Sequence, residues 1–535
     1  MDPASGSRSA SPIVITLTLV ATLGGLLFGY DTAVINGATN ALRQFFITPL
    51  EGNPDLAAAI IVEFKWLVSC SMVMVTLLIA TFLIKLFGKQ RGLLWSILLA
   101  VAGAVVLYLV LLKAPPLLTE SLGNSIKGFT IASALVGCII GASLGGYIGQ
   151  GIGRRGGLLL SALLFLVSAL GSSMPEKLNF IGMSTISSFI FYRMLGGVGV
   201  GLASMLSPMY IAEIAPARIR GKLVSWNQFA IIAGMLIIFF VNYLIAQGKP
   251  AEWINTSGWR WMFASETIPA VLFFILLLFV PESPRYMVLK NQDTRAMDLL
   301  RRIDPHRASP VMEEIRESLV KKRVPWLSFG GGVIMVGILL AMFQQFVGIN
   351  VVMYYAGDIF RSMGAGNDAS LLQTIIVGAV NMAFTILAIF TVDRFGRKSL
   401  MLIGALAMGA SMITLGFSFF LDKMGWLSLI FMLSYTAAFA MSWGPVTWVL
   451  LSEIFPNSIK GAMSIAVAAM WISNLVISWT FPIMNESSLL TNVFNHGFSY
   501  WIYGCIGFVA AWFVIRFVPE TRGKTLEEIE KIWKK

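Results

Sequence analysis

Three ionisable side chains of this 535-residue chain lie in or next to long apolar stretches, where a charge is costly. Asp31 follows eighteen uncharged residues (13–30), and Arg193 and Glu266 have similar surroundings. Such a group costs several kcal/mol in hydrocarbon unless it is paired or protonated, so each is a candidate for function. Burial favours the neutral form of an acid and an approaching cation favours the ionised form, so a mobile cation could load and unload a proton. The alternative is a static salt bridge that holds helices together.

Amide side chains within apolar segments form a second set of candidates. An amide offers two donors and two acceptors, which suits a ligand with several hydroxyl groups. Hydrogen bonding between neighbouring helices is the alternative use of such groups. The amides in question are Gln228, Gln344, Gln345, Asn350 and Asn381.

Other chemistry finds little support in the sequence. The two histidines, His306 and His496, lie outside the apolar stretches, and the three cysteines have neither metal nor disulfide spacing. The glycine pattern at 197–201 lies in an apolar run with no strand before it, so it predicts close helix packing rather than a nucleotide loop. We therefore expect no enzyme, no metal and no cofactor.

The composition points to a lipid environment. The chain is 57% hydrophobic and only 12% charged, whereas soluble domains carry about a quarter charged residues. Fourteen apolar runs are long enough to cross the membrane, and only helices can do so with their backbone groups paired. They centre near residues 22, 74, 102, 138, 166, 196, 234, 271, 341, 380, 410, 438, 473 and 508.

The basic residues follow the topology of a membrane protein. With both termini in the cytoplasm, 29 of the 39 Lys and Arg residues fall on the cytoplasmic side, as the positive-inside rule requires. No basic stripe with interleaved aromatic residues is present, so the net charge of +12 does not indicate nucleic-acid binding.

The sequence repeats itself in two halves. Three short motifs, at 153–155, 213–221 and 281–285, recur at 396–398, 453–461 and 519–522, with offsets of 243, 240 and 238 residues. Two parallel halves with one site between them are typical of two-bundle transporters. We predict an N-terminal bundle (1–280), a cytoplasmic helical linker (281–328), a C-terminal bundle (329–518) and a cytoplasmic tail (519–535).

These motifs, with the segments 24–31, 344–350, 443–445 and 196–213, resemble the sugar-porter branch of the major facilitator superfamily. The resemblance implies an all-α membrane protein of two six-helix bundles, here with an extra helix pair inserted at about 58–113. It further implies proton symport of a monosaccharide, with D-xylose as the expected sugar, across a bacterial inner membrane. We expect a monomer whose partners are the sugar, the proton and the bilayer.

The same resemblance assigns roles to the candidates. Asp31 becomes the proton carrier, tuned by Arg193 and assisted by Glu266. Aromatic rings, which otherwise serve as packing, would stack on the sugar beside the amides. The expected sugar contacts are Phe28, Gln228, Gln344, Gln345, Asn350, Tyr354, Asn381, Gly444, Trp448, Met470 and Trp471.

A third set of charged residues belongs to the repeated motifs. The resemblance makes them switches that stabilise one conformation of the transporter. They are Arg154, Arg155, Glu213, Arg220, Glu282, Arg285, Asp393, Arg394, Arg397, Glu453, Lys460, Glu520 and Arg522.

The chain departs from the family pattern at two of these places. Gln150 and Gly151 stand where relatives have an acid and a base, so the first-half switch is expected to be weaker than the second. Met470 replaces an amide that contacts the sugar in relatives.

Two alternatives remain open. A passive facilitator would share the fold, but facilitators of this family lack the acid at the Asp31 position. A membrane sugar sensor would need a sizeable cytoplasmic output domain, and only about 17 residues follow the last predicted helix.

Overall fold

The computed structural model is all-helical in its described part, residues 11–106, 108, 117–179, 182–216, 218–320, 325–522, 528, 529 and 533. The first half contains α1 (Pro12–Leu42), α2 (Thr48–Glu51), α3 (Pro54–Phe87), α4 (Lys89–Val106), α5 (Glu120–Gly151), α6 (Arg154–Ser173), α7 (Thr185–Ile214), α8 (Arg220–Ala246), α9 (Ala251–Trp253), α10 (Trp259–Ser265) and α11 (Thr267–Leu278). The connection contains α12 (Pro284–Leu289), α13 (Asp293–Ile303) and α14 (Ala308–Val320). The second half contains α15 (Gly331–Phe346), α16 (Ile349–Ser362), α17 (Asn367–Phe395), α18 (Arg397–Phe420), α19 (Trp426–Met441), α20 (Trp443–Ile454), α21 (Met463–Asn485), α22 (Ser488–Phe494) and α23 (Gly497–Phe517).

Thirteen helical stretches in the described residues are long and apolar enough to cross a membrane. The sequence predicts fourteen. The difference lies at the span expected near residue 102, which the structure shows as α4 up to Val106. Its continuation lies mostly outside the described residues, and α4 opens with the charged Lys89 and Arg91. The all-α fold is confirmed, and the inserted pair is present as α3 and α4.

Glycines set the spacing of the central helices. A Cβ at Gly197 of α7 would lie 1.8 Å from the carbonyl oxygen of Ala134 in α5. A Cβ at Gly29 of α1 would lie 1.8 Å from the carbonyl oxygen of Ile231 in α8. Only hydrogen fits at these positions, so the backbones approach closely. The interpretation of the glycine pattern as a packing device is confirmed.

Three helix pairs make the most extensive contacts between the two halves in the described part of the chain. α5 packs against α21, α8 packs against α17, and α1 packs against α16. Side-chain bonds reinforce the last pair, because Asn36 of α1 donates to the carbonyl oxygen of Met353 at 2.9 Å. The central helices of both halves therefore line a common interface.

Two membrane-crossing segments of the second half are interrupted. α15 ends before Val347, and α16 begins after Gly348, whose φ of +94° lies in the left-handed region. α19 and α20 are separated at Ser442, whose φ and ψ are −127° and −88°. Such breaks free backbone groups at membrane depth, which is tolerated only where they line a cavity or are buried in protein.

The inserted helix α3 docks on the first half. Its Glu63 accepts hydrogen bonds from the backbone N–H of Ser184, at 3.0 Å, and from the Ser184 hydroxyl, at 2.5 Å. Ser184 is the N-cap residue of α7. At the other end of α3, Lys85 bonds to the hydroxyl of Tyr147 and lies 5.8 Å from the ring centroid of Trp326. The insertion is therefore attached at both ends.

Candidate functional site

Asp31 and Arg193 form a fully buried ion pair between α1 and α7. One guanidinium nitrogen of Arg193 donates to Oδ1 of Asp31 at 2.7 Å, and another donates to the Asp31 carbonyl oxygen at 3.1 Å. The two side chains are 0% and 1% exposed. The ring of Phe263 lies 5.3 Å from the guanidinium carbon. The pair is thus removed from water on every side that the structure describes.

Glu266 is the second buried acid of this region. It is fully buried beside the carboxyl group of Asp31, and no N–H or hydroxyl group of the described residues donates to either of its carboxyl oxygens. The neighbouring Ser265 bonds to the hydroxyl of Tyr30 at 2.8 Å, which fixes the chain around Glu266 against α1 beside Asp31. Oδ2 of Asp31 and Nε of Arg193 are also without partners in the described part. Two acids and one base are therefore buried together, as one pocket of ionisable side chains.

The amide cluster lies at the two helix breaks. Nε2 of Gln344, near the end of α15, donates to the carbonyl oxygens of Trp443 and Gly444 at 3.1 and 3.3 Å. Both carbonyls belong to the first turn of α20, directly after the break at Ser442. Gln345 donates to Gln344, and Asn350 donates to Oε1 of Gln345. Four of the predicted contacts thus form one hydrogen-bonded chain.

The predicted aromatic and apolar contacts Phe28, Met470, Trp471 and Tyr354 lie on α1, α16 and α21. Phe28 of α1 and Trp471 of α21 pack with ring centroids 5.6 Å apart, across the two halves. Met470 is buried at 4% exposure. Tyr354 of α16 is buried and receives a long hydrogen bond, 3.5 Å, from Asn474 of α21. Asn474 is a residue that the sequence analysis missed.

The remaining predicted contacts lie on neighbouring helices. Gln228 is on α8 and Asn381 is on α17, the two helices that pack across the halves. Asn381 is buried, while Gln228 and Trp448 of α20 are half-buried. The structure records no bond that joins these three to the amide cluster.

Helix α1 connects the acid pair with the aromatic pair of Phe28 and Trp471. Phe28 and Asp31 are three residues apart on this helix, which is about one turn or roughly 4.5 Å along its axis. A movement of α1 therefore changes both the surroundings of the acid and the face that Phe28 presents to Trp471.

The first-half motif residues converge at the start of α6. The guanidinium of Arg154 bonds to both carboxylate oxygens of Glu213, at 2.8 to 3.2 Å. Glu282 accepts from the backbone N–H groups of Arg154 and Arg155. A carboxylate at a helix N-terminus satisfies otherwise unpaired donors and complements the helix dipole.

The second-half motif has the same arrangement at the start of α18. Arg397 bonds to Glu453 at 3.2 Å, and Glu520 accepts from the backbone N–H groups of Arg397 and Lys398. The sequence repeat is therefore also a repeat of contacts. Four other predicted switch residues are exposed instead, namely Arg220, Arg285, Arg394 and Arg522. The side chains of Asp393 and Lys460 lie outside the described part.

The altered positions of the first motif are exposed to solvent. Gln150 and Gly151 lie at the end of α5, and the hydroxyl of Tyr286 donates to the Gly151 carbonyl oxygen at 2.8 Å. The link between α5 and the connection is thus made here by a neutral hydrogen bond.

Two contacts of the site were missed by the sequence analysis for different reasons. Asn474 is an amide within an apolar run, and the criterion that selected Gln228 would have found it. Phe263 is one apolar residue among many, and no local signal marks it as the ring beside Arg193.

Comparison with known proteins places this chain among sugar transporters. The family described as sugar (and other) transporter matches residues 17–119 and 118–533. The D-xylose-proton symporter of Escherichia coli (strain K12) is 48% identical over 98% of this chain and 96% of its own length. The glucose facilitated diffusion protein of Zymomonas mobilis is 38% identical over 99% of both chains. Among solved structures, the inward-open xylose transporter of E. coli matches with a TM-score of 0.77 and 47% identity, covering 97% of this chain and 100% of the other.

Proposed function

The chain belongs to the sugar transporter family of the major facilitator superfamily, and on that premise we propose that it imports D-xylose together with a proton. It is a secondary active transporter and not an enzyme. The sugar would bind between the halves, at the amide cluster of the helix breaks and the aromatic pair of Phe28 and Trp471. The first half would carry the proton.

The observation that carries the proposal is the buried pair of Asp31 and Arg193, one turn from Phe28 on α1. With Glu266, the pocket contains two acids and one base, so it is neutral when it holds one proton. A buried site of low dielectric favours such a neutral state. Moving Arg193 away from Asp31 would change the number of protons that the pocket holds.

Sugar binding would be coupled to that change through α1. Closure of Phe28 and Trp471 on a sugar would shift α1, and with it the distance between Asp31 and Arg193. One proton that crosses 100 mV releases about 2.3 kcal/mol, which supports roughly 50-fold accumulation of sugar. No covalent step is required.

Passive facilitation is the second candidate, because one relative at 38% identity is a facilitated diffusion protein. Asp31 favours symport, because facilitators of this family are expected to lack the acid at this position. The positive-inside distribution supports placing both termini in the cytoplasm and the ends of α1, α16 and α21 on the outside.

The decisive experiment is a competition panel of labelled sugars in proteoliposomes that contain the purified protein, with and without an inward proton gradient. We expect xylose to compete best and to accumulate above equilibrium only with the gradient. Uptake that never exceeds equilibrium would identify a facilitator. Accumulation of a hexose without competition by xylose would overturn the choice of sugar while leaving symport intact.

A further inference from the structure

A cluster of charged residues joins the two halves at the ends of α1, α5, α16 and α21, and none of them is a predicted sugar or proton contact. Lys127 of α5 lies with its ammonium nitrogen 2.5 Å from Oε1 of Glu486 and 3.4 Å from Oδ2 of Asp358. Arg43, directly after α1, bonds to the other oxygen of Glu486 at 3.0 Å. Thr39 of α1 donates to Oδ1 of Asp358 at 2.8 Å. We call Arg43, Lys127, Asp358 and Glu486 the outer lock.

The outer lock is complementary in charge across the interface. The first half contributes two cations, Arg43 and Lys127, and the second half contributes two carboxylates, Asp358 and Glu486. Arg361 bonds to Asp358 from its own helix, one turn away. The ion pairs of the lock therefore attract one half to the other, whereas the pair of Arg260 and Glu176, also among the described residues, lies within the first half alone.

Lys127 holds the central position in this arrangement. Its side chain is only 6% exposed, against 40% for Arg43, and its ammonium group reaches both carboxylates. An ammonium group so far removed from water requires its partners, because an unpaired buried charge is strongly unfavourable. Separation of the halves must break both contacts at once.

Further polar contacts between the two halves lie beside the outer lock, and we call this interface the seam. Glu120 of α5 accepts from the backbone N–H and the hydroxyl of Ser488, at 2.5 and 2.6 Å. Asn124 donates to the Glu486 carbonyl oxygen at 3.2 Å. These contacts place Lys127 within a continuous line of bonds between α5 and the α21–α22 turn.

We propose that Lys127 is a gating residue of transport, which closes the outer side of the sugar path by holding Asp358 and Glu486 of the opposite half. The proposal rests on the proposed function for the assignment of this end as the outside. When the transporter opens toward external sugar, water would have to replace Asp358 and Glu486 as the partners of Lys127. Removal of its charge would then shift the protein toward the outward-open state.

A reporter for the opening is available at Gly357 of α16. A Cβ there would lie 3.5 Å from the backbone and side-chain oxygens of Asn36, an ordinary contact, so a cysteine fits in the closed seam. The background would have Cys70, Cys138 and Cys505 replaced by alanine. Labelling of Gly357→Cys by a membrane-impermeant maleimide, added to the outside of intact cells, measures how often the seam opens.

The test compares labelling rates in this background. Lys127→Met should increase the rate by at least about tenfold, because one partner of a buried pair is lost. Lys127→Arg should restore slow labelling, and Asp358→Asn and Glu486→Gln should each have a smaller effect than Lys127→Met. The matched control is Arg260→Met, which breaks an ion pair within one half and should leave the rate unchanged.

Equal rates in Lys127→Met and its parent, or an equal increase in Arg260→Met, would overturn the proposal. If Lys127→Met does not fold, as judged by size-exclusion chromatography, the two acid variants decide, and unchanged labelling in both overturns it. The labelling rate is measured without added sugar and without a proton gradient, so it does not require transport. A protein that transports no xylose could therefore still show the lock, and a xylose symporter could lack it.

Discussion

At the scale of single residues, the proposed site combines a buried acid–base pair with a cluster of neutral amides, and the two can be tested separately. Asp31 and Arg193 form an ion pair with each other, while Asn350 donates to the neighbouring amide of Gln345. A change in the pair should alter coupling, and a change among the amides should alter affinity.

Asp31→Asn should abolish uphill accumulation of sugar but keep sugar binding, because only the titrating group is lost. The measurement is uptake into proteoliposomes with a proton gradient, together with calorimetric binding. Asp368→Asn, at an exposed acid near the start of α17, is the matched control and should accumulate sugar normally. An Asp31→Asn protein that still concentrates sugar would show that the carrier is elsewhere.

Gln345→Ala should weaken sugar binding without unfolding the protein. The loss of one neutral hydrogen bond is worth about 0.5–1.5 kcal/mol, and an unpaired sugar hydroxyl adds to that cost. Because Asn350 donates to Gln345, the variant also frees a second amide. Calorimetry that finds an unchanged affinity would assign Gln345 to helix packing instead.

Met470→Gln should tighten xylose binding by up to about tenfold, the equivalent of one hydrogen bond near 1.4 kcal/mol. A thioether accepts hydrogen bonds only weakly and donates none, so this position is more apolar than an amide would make it. The comparison is the xylose dissociation constant of the two proteins at equal thermal stability. An equal or weaker affinity in the variant would indicate that residue 470 does not face the sugar.

At the scale of elements, the breaks in the second half decide where the amides can meet. Gly348 has a left-handed backbone conformation, and there is no room for a side chain, since a Cβ there would lie 2.9 Å from the ring of Tyr503. Both α15 and α16 depend on this residue for their relative direction. Gln345 of α15 and Asn350 of α16 stay bonded only while the break keeps this geometry.

Gly348→Ala should therefore lower both thermal stability and sugar affinity. The left-handed conformation costs about 1–2 kcal/mol for alanine, and the contact with Tyr503 adds to it. Gly364→Ala is the matched control, because Gly364 has a φ of +90° and no atom within 4 Å of the added Cβ. Equal losses in thermal-shift assays of the two variants would show that space around Gly348 is unimportant.

At the scale of the whole molecule, the inserted helix pair supports the first half from outside the site. Glu63 of α3 bonds to the N-cap residue of α7, the helix that carries Arg193. The insertion should therefore affect stability more than sugar recognition.

Glu63→Ala should reduce stability by about 1.5–3 kcal/mol, the usual value of a hydrogen bond to a charged group, and leave xylose affinity within about twofold. Thermal unfolding in detergent and calorimetry measure the two quantities. Glu51→Ala, at an exposed acid before α3, should change neither. A large loss of affinity in Glu63→Ala would mean that the insertion acts on the site itself.

The sequence by itself determined the membrane helices, the two-fold repeat, and Asp31, Arg193 and Glu266 as buried candidates. These are local properties, because an apolar run of about 20 residues or a charge within it is visible without knowledge of its neighbours. The repeat also predicted which motif residues match, and Arg154 and Arg397 indeed have equivalent partners.

Only the tertiary structure decided which distant residues meet. The rings of Phe28 and Trp471 come together from opposite halves, and Lys127 reaches Glu486 across 359 residues of sequence. Lys127 follows a polar helix start and resembles many solvent-facing lysines, so no local signal distinguishes it. Its role depends on the charges that another helix brings to it, and that pairing is fixed by how the two halves pack rather than by the residues around it.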